Sequence, residues 1–210
     1  MGSAMLSPST APLLAVEGLQ AWYGESHVLH GASFEVLVGE VVTLLGRNGA
    51  GKTTTLKSIM GIVGQRSGSV RYEGRELIGL TSDRIARLGI ALCPEERGIF
   101  ASLNVEENLL LPPKVRPGGL ELGRIFELFP NLQERISSQG TKLSGGEQQM
   151  LAIGRILRTG ARVGGIGVRE GRLGHRRSKF KAFSRRNASC SAAYSRTAQR
   201  RRNRQRIQAS

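Results

Sequence analysis

A glycine-rich segment at residues 46–53 constrains the fold of this 210-residue chain more than any other stretch does. Its sequence, GRNGAGKT, matches the spacing G-x-x-x-x-G-K-[ST] in full. The apolar run VVTLL precedes it at residues 41–45, and an amphipathic pattern follows it. Because glycines let a backbone wrap closely around phosphate groups, the spacing predicts a strand, a phosphate-binding loop and a helix in that order.

The residues at the end of this segment have the chemistry that a nucleoside triphosphate and its cation require. Lys52 supplies a positive charge for the β and γ phosphates, and Thr53 offers a hydroxyl to Mg²⁺. The helix that begins here adds a partial positive charge at its N-terminus. We therefore predict that the phosphate-binding residues are Gly46, Arg47, Asn48, Gly49, Ala50, Gly51, Lys52, Thr53 and Thr54.

Residues 13–157 alternate strand-like and helix-like stretches, a pattern that is typical of an α/β fold. After the loop, Leu56, Ile59, Met60 and Val63 fall on one face of the predicted helix. The run VVTLL is rich in β-branched residues, which predicts a strand that is buried on both faces in a parallel sheet.

Two further helix starts are marked by capping patterns. Asn104 is followed three residues later by Glu107, and Ser144 is followed three residues later by Glu147. The second pattern lies in the segment LSGGEQQ at residues 143–149, whose two glycines allow an anion to approach the first backbone N–H groups of the helix.

Taken with the phosphate loop, the segment LSGGEQQ makes residues 13–157 resemble the ATP-binding subunit of ABC transporters. In that family, two subunits face each other head to tail, and each ATP is held between one subunit's phosphate loop and the other's signature. The resemblance implies an α/β P-loop nucleotide-binding domain of ABC type, with an antiparallel β subdomain and a helical subdomain at about residues 102–157. It also implies ATP and Mg²⁺ as cofactors, and it places the signature at Leu143, Ser144, Gly145, Gly146, Glu147 and Gln148.

Two other stretches resemble a subgroup of that family. Tyr23 in WYG lies where the family places an aromatic ring under the adenine, and Glu95 in PEERGIF lies in the loop that senses the γ phosphate and docks on the membrane subunit. This pattern is similar to the second ATPase of branched-chain amino acid importers, with importers of urea or short amides as the alternative. The resemblance implies a second ATP-binding subunit and transmembrane permease subunits as partners, and a cytoplasmic position at the inner face of the cell membrane.

The composition changes abruptly near residue 158. Residues 1–157 carry 15 Lys and Arg against 15 Asp and Glu, whereas residues 158–210 carry 16 Lys and Arg against Glu170 alone. Few of the later residues are apolar, and such sequences do not bury enough surface to order a backbone. We therefore predict a leader at residues 1–12, an ATP-binding domain with an incomplete core at residues 13–157, and a basic Arg/Gly-rich tail at residues 158–210 that is disordered or translated out of frame.

The resemblance also implies groups that this sequence lacks. An ABC ATPase carries an Asp-Glu pair at the end of an apolar strand after the signature helix, and a switch histidine after a later strand. Here RTGARVGGIGV follows that helix, Asp83 is the only aspartate in the chain, and His175 follows no strand-like run. We therefore expect no strand after the signature helix, no catalytic residue in these positions, and impaired hydrolysis in a chain whose family hydrolyses ATP.

A second class of function stays open on the sequence alone: a non-hydrolysing P-loop module whose basic tail contacts nucleic acid. The run RRRNRQR at residues 200–206 can neutralise several phosphates. Only Phe180, Phe183 and Tyr194 offer rings for base stacking in the tail, which disfavours this alternative. No run approaches the roughly 18 apolar residues of a membrane span, and no secretory signal is recognisable.

Overall fold

The computed structural model describes residues 11–45, 47, 49–94, 98–168 and 179–184. In this part of the chain, the strands are β1 (Leu14–Tyr23), β2 (Ser26–Val36), β3 (Val41–Leu44), β4 (Gln65–Tyr72), β5 (Arg75–Glu76), β6 (Ile90–Cys93), β7 (Val163–Val168) and β8 (Lys179–Ser184). The helices are α1 (Lys52–Ile59), α2 (Ser82–Arg87), α3 (Val105–Leu110), α4 (Leu122–Leu128), α5 (Pro130–Glu134) and α6 (Gly145–Thr159), with a 3-10 turn at Gly140–Lys142. None of these helices has both the length and the apolar character that crossing a bilayer requires.

The N-terminal strands form an antiparallel sheet in the order β2-β1-β4-β5. β1 and β2 make a hairpin in which Leu14 pairs with Val36 and Tyr23 pairs with Ser26. Where β4 crosses β1, a Cβ on Gly68 would lie 2.5 Å from the Gly18 carbonyl oxygen, so only glycine fits there. This sheet is the antiparallel β subdomain that the resemblance implies.

The second sheet has the order β3-β8-β7-β6, and it corrects the prediction for the strand before the phosphate loop. β3 pairs antiparallel with β8, and its residues alternate between exposed and half-buried. Leu45, directly after β3, is 70% exposed. The prediction of a strand buried on both faces in a parallel sheet is wrong because β3 lies at the end of the described sheet, with a strand partner on one side only.

The chain after the signature helix forms strands where we expected none. α6 continues to Thr159, and Gly160, with a φ of 79°, ends it. β7 then pairs in parallel with β6, from Ile90 with Val163 to Cys93 with Ile166, and β8 pairs antiparallel with β7. The expectation is wrong for these residues because pairing with β6 and β8, rather than the glycine-rich sequence VGGIGV itself, holds β7 in place. Residues 169–178 and 185–210, with Glu170, His175 and most of the predicted tail, lie outside the described residues.

The buried side chains form two hydrophobic clusters. The first lies between the antiparallel sheet and α1, and it reaches Ile90 in β6 and Val163 in β7. The second surrounds α6 with α3, α4 and α5, and it reaches Cys93 at the end of β6. The four predicted apolar positions are all buried: Leu56, Ile59, Met60 and Val63. The predicted helical face is confirmed for Leu56 and Ile59, whereas α1 ends at Ile59, so Met60 caps it and Val63 lies beyond it. β6 therefore contributes to both clusters, through Ile90 and Cys93, and connects the two halves of the molecule.

Candidate functional site

The N-terminus of α1 is built as an open anion site. Gly51 precedes the helix with a φ of 77°, no side chain caps it, and the first turn contains no acidic residue. A Cβ on Gly51 would lie 3.2 Å from the Leu29 side chain in β2, which adds a packing reason for glycine. The first helical hydrogen bond runs from the Thr55 amide to the Gly51 carbonyl at 2.7 Å. The amides before Thr55 are thus the ones that a phosphate group can accept from.

Lys52 is the first residue of α1, and its side chain reaches back into the loop that precedes the helix. Its side chain is 6% exposed, and its ammonium donates a hydrogen bond of 2.6 Å to the Arg47 carbonyl. The Ala50 amide donates to the same carbonyl at 3.1 Å, so the backbone turns around the ammonium. Of the predicted loop residues, Arg47, Gly49 and Ala50 are exposed and Thr54 is buried, whereas Gly46 and Asn48 lie outside the described residues.

Thr53 is the residue that fits a magnesium ion. It is half-buried in the first turn of α1, directly after Lys52. A hydroxyl supplies one oxygen ligand, and Mg²⁺ ordinarily takes its remaining ligands from phosphate oxygens and water. In the described part of the chain, no group of three or more His, Cys, Asp or Glu side chains is placed to hold a metal by itself. The donor set therefore suits a cation that arrives with a nucleotide.

Tyr23 lies at the end of the hairpin whose strand β2 approaches the phosphate loop at Leu29. It ends β1, two residues after the buried Ala21, so the two side chains share one face of the strand. Ala21 pairs with Leu29, which is the residue that contacts the Gly51 position. The exposed ring of Tyr23 consequently lies at the end of the hairpin that packs against the loop.

The signature segment begins α6 with the predicted capping box, which is confirmed. The Glu147 amide donates to the Ser144 hydroxyl at 3.3 Å, and the Ser144 amide donates to the Glu147 carboxylate at 2.7 Å. Hydrogen bonds that the Ser144 side chain and backbone donate to the carboxylate lower the pKa of Glu147. Leu143 is buried in the second cluster, whereas Ser144, Gly145 and Gly146 are exposed. Leu143 thus anchors the helix start in the hydrophobic core, while Gly145 and Gly146 lie at the surface.

Gln148 fixes the chain that enters this helix. Its side-chain amide donates to the carbonyls of Gly140 and Leu143, at 3.1 and 3.2 Å. Because α1 packs in the first hydrophobic cluster and α6 in the second, the phosphate loop and the signature belong to different halves of one chain.

The loop after β6 is organised by a buried residue that sequence reasoning missed. Glu95, the predicted sensing residue, lies outside the described residues, and the loop is described again from Gly98. Asn108 in α3 is fully buried and donates to the carbonyls of Phe100, Leu103 and Asn104, while its carbonyl accepts from the Phe100 amide. A single asparagine inside the run VEENLL was the available signal.

Comparison with known proteins agrees with this geometry. A sequence model described as ABC transporter matches residues 29–164, which is more than half of the chain. The chain belongs to the ABC transporter family. The predicted family and fold class are thereby confirmed.

Two relatives of this ABC family member are named for branched-chain amino acid transport. The high-affinity branched-chain amino acid transport ATP-binding protein BraG of Pseudomonas aeruginosa is 46% identical over 154 residues, which cover 69% of this chain and 64% of BraG. The probable branched-chain amino acid transport ATP-binding protein LivF of Archaeoglobus fulgidus is 35% identical over 148 residues, which cover 69% of this chain and 63% of LivF. The chain thus spans less than two thirds of the length of these relatives.

Solved structures of the family share the fold. An ATP-binding cassette of an ABC transporter superposes with a TM-score of 0.61 at 25% identity, over 73% of this chain and 67% of that chain. A nucleotide-free ATP-binding cassette from an ABC transporter superposes with a TM-score of 0.60 at 25% identity, over 72% of this chain and 67% of that chain.

Proposed function

We propose that this chain is an ATP-binding subunit of a branched-chain amino acid importer, and that it holds Mg·ATP without efficient hydrolysis. The observation that carries the proposal is the N-terminus of α1, where Gly51 brings no side-chain cap, the first turn has no acidic residue, and the Lys52 ammonium lies within the preceding loop. The solute class rests on the names of BraG and LivF, which favour branched-chain amino acids over urea or short amides.

The nucleotide would be held by four kinds of group. Backbone amides at the start of α1 donate to the phosphates, and the Lys52 ammonium exchanges its bond with the Arg47 carbonyl for phosphate oxygens. Thr53 gives one ligand to Mg²⁺, which neutralises charge on the phosphates. The ring of Tyr23 stacks on the adenine, and its exposure at the hairpin end supports this role.

A second ATP-binding subunit would complete the site. The exposed start of α6 offers the backbone amides of Gly145 and Gly146 to an anion held by another chain. Since the phosphate loop and the signature lie on different hydrophobic clusters of one chain, a head-to-tail pair can use both at once. The exposed side chains of Phe100, Leu110 and Leu111 give a transmembrane permease an apolar surface to dock on. Such a permease would hold this chain at the inner face of the membrane.

Hydrolysis is expected to be impaired because the acidic groups that orient water and Mg²⁺ are missing. After β7 the sequence continues with Arg169 and Glu170 rather than with an Asp-Glu pair. Asp83, the only aspartate, lies in the first turn of α2 with its side chain exposed and paired with Thr81. Without a general base, bound ATP is held rather than turned over.

The division into a leader at residues 1–12, a domain at residues 13–157 and an out-of-frame tail at residues 158–210 is part of the proposal. The family match supports a change of character near this point, since it ends at residue 164 while the chain continues to residue 210. Resequencing of the locus around codon 158 tests it. A frame that no one- or two-base shift restores to an Asp-Glu strand would contradict the out-of-frame interpretation.

The proposed function is tested with purified chain and MgATP, alone and with an intact sister subunit. We expect saturable binding, and a turnover far below that of an intact P-loop ATPase. Absence of MgATP binding, even with the sister subunit present, would overturn the proposal. Rapid turnover that Lys52→Ala abolishes would overturn the hydrolysis part alone.

A further inference from the structure

Arg155 in α6 makes two contacts with the segment that follows β6. Its guanidinium donates a hydrogen bond to the Gly98 carbonyl. The same guanidinium lies over the ring of Phe100, with 4.9 Å from its central carbon to the ring centroid. One side chain on the signature helix thus holds both ends of residues 98–100, which we call the loop anchor segment.

The environment of Arg155 makes these contacts necessary. Burial lowers the pKa of the guanidinium, and its Nε is buried without a hydrogen-bond partner among the described residues. A half-buried cation that lost its remaining partners would be destabilising, so the Gly98 carbonyl and the Phe100 ring stabilise its position. Beside it is an open cleft of about 240 Å³, whose lining includes Cys93, Pro94 and Gly98.

We propose that Arg155 is a positioning residue that joins the exposed Phe100 to the signature helix. Phe100 is 45% exposed, so a docked permease can press on it. Arg155 lies 11 positions after Ser144 on one continuous helix, which is about 16 Å along the axis. A displacement of Phe100 therefore shifts Arg155, and the helix carries that shift to the exposed glycines at its start. This inference rests on the proposed function.

Arg158 provides a matched control on the same helix. Its Nε is likewise buried without a partner among the described residues, but its guanidinium faces Glu121, at 3.8 Å, rather than the loop anchor segment. The thiol of Cys93 is the reporter, because it is 2% exposed and lines the cleft beside Arg155. A Cys190→Ser background leaves Cys93 as the only cysteine.

The contact is tested by the rate at which a thiol reagent labels Cys93 in the full chain. We expect Arg155→Gln to accelerate labelling at least tenfold, Arg155→Lys to give an intermediate rate, and Arg158→Gln to stay within twofold of the parent. Labelling is compared below the onset of unfolding, so that a loss of global stability is separated from a local opening. Equal acceleration by Arg155→Gln and Arg158→Gln, or none by either, would overturn the assignment.

The coupling is tested by hydrogen exchange at the first amides of α6. Phe100→Ala should change their exchange when Arg155 is present and should leave it unchanged in the Arg155→Gln background. The same change in both backgrounds would refute the coupling. MgATP affinity of the isolated chain is measured in parallel and should not respond to Arg155→Gln. Failure of the parent chain to bind MgATP would refute the proposed function, whereas the labelling and exchange results concern Arg155 alone.

Discussion

The first backbone amides of a helix have no hydrogen-bond partner within the helix, and the two glycine-rich helix starts of this molecule differ in how they provide one. At α1, Gly51 brings no side-chain cap and the first turn has no acid, so this helix start suits an external anion. At α6, the Ser144 hydroxyl and the Glu147 carboxylate satisfy backbone amides from within the chain. Both starts have glycines beside them, but only α1 adds a buried cation, Lys52.

This difference indicates that the phosphate loop and the signature segment contribute to ligand binding in different ways. An uncapped helix start loses stability until a ligand arrives, so α1 is suited to bind phosphate on its own. A capped start is stable without ligand, so α6 can keep its exposed glycines ready for a second subunit. If this is correct, substitutions around α6 should leave the MgATP affinity of the phosphate loop at α1 largely unchanged.

The strongest test of that separation is Asn108→Ala in the second cluster. The change removes four hydrogen bonds that order the chain from Phe100 to Asn104, and we expect it to lower the free energy of unfolding by about 3 kcal/mol. Urea denaturation measures the loss. Asn131→Ala, at an exposed position of α5, is the control and should have little effect. The folded fraction of Asn108→Ala should still bind MgATP with the parent affinity, and a parallel loss of affinity would show that the two halves are not separable.

The next largest effect is expected at the open start. Lys52→Ala removes the cation inside the loop, and we expect MgATP affinity to fall about 100-fold. Fluorescence of Trp22, the only tryptophan, reports binding because it is adjacent to Tyr23. Lys57→Ala, in the last turn of the same helix, is the matched control, because it removes the same charge away from the loop. Equal losses in the two variants would mean that net charge, rather than the site, sets the affinity.

A smaller effect is expected at the capped start. Ser144→Ala removes the side-chain half of the capping box, and we expect a loss of about 1 kcal/mol in the free energy of unfolding. MgATP affinity of the isolated chain should not change, whereas MgATP-dependent assembly with a sister subunit should weaken. Ser144→Thr restores a hydroxyl and should recover most of the stability. A loss of MgATP affinity in the isolated chain would contradict the separate roles of the two helix starts.

Sequence reasoning succeeded where a feature depends on neighbours along the chain. Both capping boxes, at Asn104 and Ser144, were predicted because a cap and its partner are three residues apart. The apolar face of α1 was predicted for the same reason. The candidate phosphate and signature residues could also be named, since each lies in one short segment.

It failed where a feature depends on tertiary pairing. β3 looks like a strand of a buried parallel sheet, but its exposure follows from its place at the end of the described sheet. β7 is rich in glycine and is a strand because β6 and β8 pair with it, one on each side. Asn108 and Arg155 were missed because their partners lie in a loop that folds back onto α3 and α6.

The smallest expected effect concerns the contribution of the Glu147 carboxylate to the pH dependence of the free energy of unfolding. Hydrogen bonds from Ser144, with a lesser contribution from Arg135, lower the pKa of Glu147 below its ordinary value of 4.5. A carboxyl whose pKa is depressed by folding stabilises the protein above its unfolded pKa, and this contribution is lost as the pH falls through the folded value. The free energy of unfolding should therefore fall on acidification below about pH 4.5 by less in Glu147→Gln than in the parent. Glu134→Gln, at an exposed position of α5, is the control and should follow the parent curve. If the free energy of unfolding falls equally with acidification in Glu147→Gln and in the parent, the Ser144 hydroxyl alone holds the cap. The Glu147 carboxylate would then not stabilise the start of α6, and the contrast with the uncapped start of α1 would be weaker than we infer.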